Sequence, residues 1–224
     1  MERPRSLDSS LDIRERKIEL MRSIRPIKAE DLVTGQYAGY QEEVGVKQGS
    51  MTATYAAAVL YVDNDRWKGV PVLLVAGKAL DQSTTFIKIH FKSATQNILT
   101  LRVQPDPGYS FDFTSRVSGS SFTHSSLGDK ETACSMAFTY SRSSIPLLGA
   151  YEIIFGGICE RKEAEFVSSE EVIAGWNAFD PALAEADLRP PEMYAVGSKG
   201  PFTAVEELVK RHICSSTATS ASII

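Results

Sequence analysis

The spacing of apolar and polar positions changes twice along the chain. Residues 9–22 mix charged side chains with Leu11, Ile13, Ile18, Leu20 and Met21, and Leu7, Leu11, Ile18 and Met21 fall on one helical stripe. Ser9-Ser10-Leu11-Asp12 has the S-x-x-D form of a capping box and Arg25-Pro26 ends the pattern, so the spacing predicts an opening helix. From there to about residue 142 the period is two, and strands are predicted over 53–62, 70–76, 86–92, 98–104, 109–113 and 132–140. In Phe86-Ile87-Lys88-Ile89-His90-Phe91-Lys92, Ile87, Ile89 and Phe91 share one face and Lys88, His90 and Lys92 the other, as in a sheet covered on one side. The turns between strands are short, such as Asp63-Asn64-Asp65 and Asp106-Pro107-Gly108, which leaves no room for crossover helices and implies antiparallel pairing.

After residue 146 the period becomes helical, over 149–162, 169–178, 181–186 and 201–212, with breaks at Asp180-Pro181 and Pro190-Pro191. Strands first and helices afterwards argue for the α+β class: one large, mainly antiparallel sheet with helices packed on one face. The Ser-rich stretch 115–126 reads as a loop, and the Ser/Thr/Ala stretch 215–224 as a loose tail. The expected organisation is a helical segment over 1–25, a main domain over 26–212 and a flexible tail over 213–224.

Composition narrows the classes of partner. With 224 residues, at ~150 per domain, the chain holds one large domain or little more. With 24 Lys plus Arg against 28 Asp plus Glu, the net charge is -4 and there is no basic block to track a phosphate backbone, so a nucleic-acid partner is not expected. The apolar runs 55–62 and 70–76 are far short of the ~20 residues of a membrane span, and no apolar leader precedes residue 30. Cys134, Cys159 and Cys214 are odd in number and widely spaced, which suggests neither a disulfide framework nor a metal site and points to a reducing, cytoplasmic location. Cys159 reads as a small buried apolar group, and Trp67 and Trp176 as packing residues. Asp63, Asp65, Glu42 and Glu43 read as turn and surface charges, not as metal ligands.

No G-x-G-x-x-G follows a strand, and neither a P-loop, G-x-S-x-G nor H-E-x-x-H occurs. Residues 55–80, however, resemble a long motif of glucose-6-phosphate dehydrogenases, with Asp63-Asn64-Asp65-Arg66-Trp67, Gly69-Val70-Pro71 and Gly77-Lys78-Ala79-Leu80 in place. Around it, in the order of that family, stand Gly35-Gln36-Tyr37, Leu101-Arg102-Val103-Gln104-Pro105, Ala150-Tyr151-Glu152, Glu170-Glu171, Trp176, Tyr194 and Gly197-Ser198-Lys199-Gly200-Pro201. The similarity covers about residues 15–212 and corresponds to the family's C-terminal domain, a mainly antiparallel sheet backed by helices that forms the dimer interface and closes over the sugar phosphate.

The resemblance implies roles for individual residues. Lys78 and Gln104 match substrate-side positions, where an ammonium and an amide meet glucose 6-phosphate. Lys88, Arg102, Lys199 and Lys210 fall where some members hold a second, structural NADP, although Val75, Ser83 and Thr84 replace basic residues at ligand positions. The family's glycine-rich coenzyme fingerprint and its Asp-His-Tyr segment, whose His removes the C1 hydroxyl proton, are not found around His90, His124 or His212. The resemblance therefore implies the substrate-side and dimerisation domain of an NADP-dependent glucose-6-phosphate dehydrogenase, the first step of the oxidative pentose phosphate pathway, inactive alone and partnered as a homodimer or with a full-length dehydrogenase. The alternative is a non-catalytic interaction or regulatory protein that dimerises through its sheet with an intact enzyme.

Overall fold

The computed structural model describes residues 10–92, 97–117, 130–139 and 148–213. In chain order its elements are α1 (Ser10–Arg22), β1 (Leu32–Tyr37), β2 (Tyr55–Leu60), β3 (Val72–Gly77), β4 (Thr85–His90), β5 (Ile98–Gln104), β6 (Gly108–Val117), β7 (Lys130–Thr139), α2 (Ala150–Cys159), α3 (Ser169–Ala186), β8 (Glu192–Tyr194) and α4 (Phe202–Ile213). The class is α+β, and the chain divides into a unit of Met1–Asp81 with Tyr151–Ile224 and a unit of Gln82–Ala150. Two details differ from the expectation of one sheet covered on one face. Among the described residues the strands form two four-stranded sheets, ordered β3-β2-β1-β8 and β4-β5-β6-β7. The first of them carries helices on both faces.

The reason lies in β2. Tyr55, Ala57 and Val59 on one side pack with Val205, Leu208 and Val209 of α4. Ala58, Leu60 and Val62 on the other pack with Ala182, Phe179 and Leu183 of α3 and with Leu20 and Ile24. A near-continuous apolar run is what a strand buried on both faces requires, and the alanines let helices approach from either side. Each fully buried Val or Leu here contributes roughly 1.5–3 kcal/mol. β1 runs antiparallel to β2, pairing Leu32 with Ala58 and Gly35 with Tyr55. β8 joins the other edge of β1 in parallel, pairing Gly35 with Glu192 and Tyr37 with Tyr194. A Cβ on Gly35 would lie 3.1 Å from the Glu192 carbonyl oxygen and 3.2 Å from the Tyr194 ring, so the close approach of β8 is made at a glycine.

α3 begins with a reciprocal capping box: the Ser168 hydroxyl accepts from the Glu171 N–H at 3.2 Å and the Glu171 carboxylate accepts from the Ser168 N–H at 2.8 Å. The helix does not stop at Asp180-Pro181 but runs through Pro181 to Ala186. Ala178 and Ala182 are buried beside the proline, and the Ala178 carbonyl accepts from the Ile27 N–H at 2.9 Å, which ties this turn of α3 to the chain ahead of β1. α1 is bound to this region by Lys17, whose ammonium donates to the Phe166 carbonyl at 2.9 Å and lies 3.1 Å from the Glu171 carboxylate. At the end of α4, His212 bridges Asp31, 2.8 Å from Nε2, and the Tyr61 hydroxyl, 3.0 Å from Nδ1.

In the second unit β6 continues to Val117, so the first residues of the stretch read as a Ser-rich loop are strand, and the rest of that stretch lies outside the described residues. Ile213 belongs to α4, and the remainder of the expected tail is likewise outside them. Trp67 packs against the core beside α3, whereas Trp176 is 57% exposed and is not a packing residue. Cys159 is exposed, as are Tyr151, Phe155 and Ile158 of the same helix, so it is not a buried apolar group.

Candidate functional site

Lys78 directly follows the last residue of β3. The ladder places Gly77 opposite Tyr55, and beyond it the backbone turns at Ala79, whose φ of 52° lies in the left-handed region. The Lys78 N–H donates to the Thr54 carbonyl at 2.9 Å, and the Lys78 carbonyl accepts from the Tyr194 hydroxyl at 2.8 Å. The next residues are fastened to the loop after β8: the Gly197 N–H donates to the Ala79 carbonyl at 2.8 Å and the Asp81 N–H to the Ser198 carbonyl at 2.9 Å. Leu80 and Ser198 form a parallel bridge. The segments carrying Lys78 and Lys199 are thereby neighbours. The Lys78 side chain is exposed, and its ammonium has no hydrogen-bonding or ionic partner among the described residues.

Under this turn lies a buried aromatic cluster. Tyr55, 2% exposed, packs edge-on against Tyr194 with ring centroids 5.7 Å apart. A Cβ on Gly77 would come within 2.5 Å of Tyr55 Cδ2, and one on Gly200, at φ +83°, within 2.5 Å of Tyr55 Cε2. Both glycines flank the same ring because no side chain fits there. The Tyr55 hydroxyl is buried with no hydrogen-bond partner among the described residues, and burial, together with neighbouring Tyr194, pushes its ionisation up to about 12.

In the second unit the register pairs Phe86 with Arg102 and Lys88 with Thr100, so Lys88 and Arg102 are diagonal neighbours on one face of the sheet. Ile87 and Ile89 lie on the other face, as their alternation predicts. Lys88 Nζ sits 5.1 Å from the Phe86 ring centroid. Burial, and then the Lys88 charge, hold His90 below its ordinary value. Arg102 pairs with Gly108, where a Cβ would meet the Phe138 carbonyl oxygen and lie 3.3 Å from Arg102 Nη2. The Arg102 Nε is buried and has no partner among the described residues. Gln104 ends β5, exposed, before a cis peptide bond to Pro105. Lys210 stands on α4, paired with Glu206 at 3.2 Å. Of the six residues proposed from sequence, the geometry groups Lys78 with the Lys199 segment and Lys88 with Arg102. It also adds Tyr194 and Thr54, whose only sequence signal is the Tyr194 that precedes Gly197-Ser198-Lys199-Gly200.

Neither a cluster of His, Cys, Asp and Glu able to hold a metal nor a helix long and apolar enough to cross a membrane occurs among the described residues. The sequence matches the family described as "Glucose-6-phosphate dehydrogenase, C-terminal domain" over residues 1–215. It is 36% identical to "Glucose-6-phosphate 1-dehydrogenase 3, chloroplastic" of Arabidopsis thaliana over 91% of this chain and 37% of that protein. It is 33% identical to glucose-6-phosphate 1-dehydrogenase of Dictyostelium discoideum over 94% of this chain and 45% of that one. The chain thus spans less than half the length of these curated relatives. A solved glucose-6-phosphate dehydrogenase in complex with its substrate glucose 6-phosphate superposes with a TM-score of 0.83 at 26% identity, covering 99% of this chain and 48% of the other. The dehydrogenase from Mycobacterium avium superposes with a TM-score of 0.80 at 27% identity, over 100% and 47%. A family match over nearly the whole chain, with the same fold in two solved dehydrogenases, shows that this chain belongs to the glucose-6-phosphate dehydrogenase C-terminal domain family.

Proposed function

We propose that the chain is the substrate-side and dimerisation half of an NADP-dependent glucose-6-phosphate dehydrogenase, and that these 224 residues alone do not turn over substrate. The observation that carries the reading is Lys78, its backbone fixed on both sides and its ammonium without a partner among the described residues, at the place where the family motif puts a substrate-facing lysine. A cation presented in this way suits a sugar phosphate. Gln104 is the proposed second substrate contact. Hydride transfer needs a nicotinamide held against C1 and a positioned base, and no residue described above forms either.

The face bearing Lys88 and Arg102 fits a phosphate of a structural NADP, because the buried Arg102 Nε lacks, among the described residues, a partner that an anion would supply. Bound there, NADP supplies binding energy and no hydride acceptor for the sugar. Lys199 and Lys210 are proposed as further contacts; the exposed Val75 and Thr84 withhold two charges. The half-exposed Ile87, Phe91 and Phe138 of the second unit support a homodimer or pairing with a full-length dehydrogenase through this sheet. The three cysteines support a reducing compartment, proposed as the cytosol.

The test is a steady-state assay with glucose 6-phosphate and NADP beside a calorimetric titration. No turnover is expected, with glucose 6-phosphate affinity no tighter than about millimolar, since each missing charge-assisted contact costs about 1.5–3 kcal/mol. Turnover by the homogeneous chain, or ligand binding that Lys78→Ala leaves unchanged, refutes the reading.

A further inference from the structure

We infer that Tyr194 is a positioning residue for Lys78: its hydroxyl sets where the lysine leaves the sheet and so where its ammonium can meet a sugar phosphate. The inference rests on the proposed role of Lys78. Lys78 lies one residue past the end of β3; its N–H still reaches across to the Thr54 carbonyl, and its own carbonyl is held from outside the strand pair. What holds its carbonyl is the Tyr194 O–H, at 2.8 Å. That phenol has a single proton, and of the oxygens around it the Lys78 carbonyl at 2.8 Å is nearer than Thr54 Oγ1 at 3.0 Å and the Thr54 carbonyl at 3.4 Å; Thr54 Oγ1 can donate to the phenol oxygen in turn. Thr54 Oγ1 accepts from the Tyr37 N–H at 3.0 Å, and the Thr54 carbonyl accepts from the Lys78 N–H at 2.9 Å. Both backbone polar groups of Lys78 therefore end on Thr54 and Tyr194. Tyr194 is 5% exposed, with Tyr55 and Tyr37 edge-on to its ring, so the phenol cannot swing away without opening the cluster. A chain of hydrogen bonds in a buried site keeps one geometry, and it delivers that geometry to the base of a single exposed cation.

The substitution Tyr194→Phe keeps the ring and removes the hydroxyl that bonds the Lys78 carbonyl and Thr54. The test titrates glucose 6-phosphate into the isotopically labelled 224-residue chain, as wild type, Tyr194→Phe, Lys78→Ala and the double variant, and reads amide shifts together with hydrogen exchange. Expected are a retained fold, faster exchange of the Lys78 and Asp81 amides in Tyr194→Phe, and affinity weakened by about five- to tenfold, with the double variant no weaker than Lys78→Ala alone. A purely structural tyrosine would add its loss to that of Lys78→Ala, and such additivity overturns the inference. So does wild-type affinity in Tyr194→Phe. If glucose 6-phosphate fails to shift Lys78 in the wild type, the substrate reading of Lys78 falls and exchange decides the positioning: faster exchange of the Lys78 amide in Tyr194→Phe upholds it, and unchanged exchange overturns it.

Discussion

Replacing Tyr55 by phenylalanine should make the first unit more stable. The ring is enclosed by Tyr194 and by two glycines whose Cβ atoms would each come within 2.5 Å of it, so the phenylalanine ring keeps every packing contact of the tyrosine. What is lost is a hydroxyl that is buried with no hydrogen-bond partner among the described residues. Withholding such a group from water costs about 1–3 kcal/mol, against which stands a gap the size of one oxygen, so a net gain of about 1 kcal/mol is expected. Alkaline behaviour gives a second signature. Burial and Tyr194 raise the Tyr55 ionisation from 10.0 to about 12, so the folded state keeps the phenol protonated where the unfolded chain would release the proton. That contribution is fully present below pH 10 and is lost as pH rises through about 12, a fall on the order of 3 kcal/mol that Tyr55→Phe should remove. Trp67 and Trp176, the only 2 tryptophans of the chain, both belong to the first unit, so urea unfolding followed by tryptophan fluorescence reports on it. At roughly 2 kcal/mol per molar urea the midpoint should rise by about 0.5 M at neutral pH. A variant that is less stable by 1 kcal/mol or more would show that the hydroxyl has a partner and refute the reasoning.

Acid behaviour should be dominated in part by Glu171. Burial alone would raise this carboxyl, but the Ser168 N–H, the Lys17 ammonium and the Ser168 hydroxyl hold it below its ordinary value of 4.5, so its stabilisation is full above that pH and is lost as pH falls through the lowered value. Glu171→Gln keeps the capping geometry and should cost about 2 kcal/mol at pH 7 while flattening the acid fall; equal acid sensitivity of both proteins in a pH series of melts would contradict this. Gly200→Ala combines a left-handed backbone with a collision against Tyr55 and should cost about 3 kcal/mol, whereas Gly197→Ala, at φ +76° with nothing within 4 Å, should cost about 1 kcal/mol. Similar melting points for the two variants would remove the argument for a filled pocket around Tyr55.

Much of the second unit was legible in the sequence: the alternation over 87–92 states a strand and its two faces, and the register over 85–90 separates Ile87 and Ile89 from Lys88 and His90, while Phe91 and Lys92 lie past the strand end and neither face of β4 is covered among the described residues. β2 was legible as a strand but not in its surroundings: a run of alanines between Tyr55 and Val59 reads the same whether one helix layer covers it or two. β1 was missed because Gly35 interrupts the pattern, and that glycine is there for β8, a partner from the far end of the chain. Pro181 suggested a helix end, but α3 runs through it, with Ala178 and Ala182 on either side of the proline buried in the tertiary packing. For the candidate site, local residues name Lys78 through its motif, but the bond that fixes it comes from Tyr194, and no local pattern announces a contact between residues so distant in sequence.

The parallel pairing of β1 with β8 also sets an order of assembly. The strands of the second unit follow one another directly and can pair as soon as they are made, while β1 must wait for Glu192–Tyr194 to be synthesised before its edge is closed. Until then the nascent chain carries an open strand edge at Gly35–Tyr37, on the side of β1 away from β2, the kind of surface that captures a neighbouring chain. The loop that presents Lys78 is anchored by the same late segment, so a chain ending before β8 would lack the anchor for its lysine and keep an adhesive edge. Ribosome stalling or proteolytic trimming within α3 should therefore convert this domain from a folded unit into an aggregation seed.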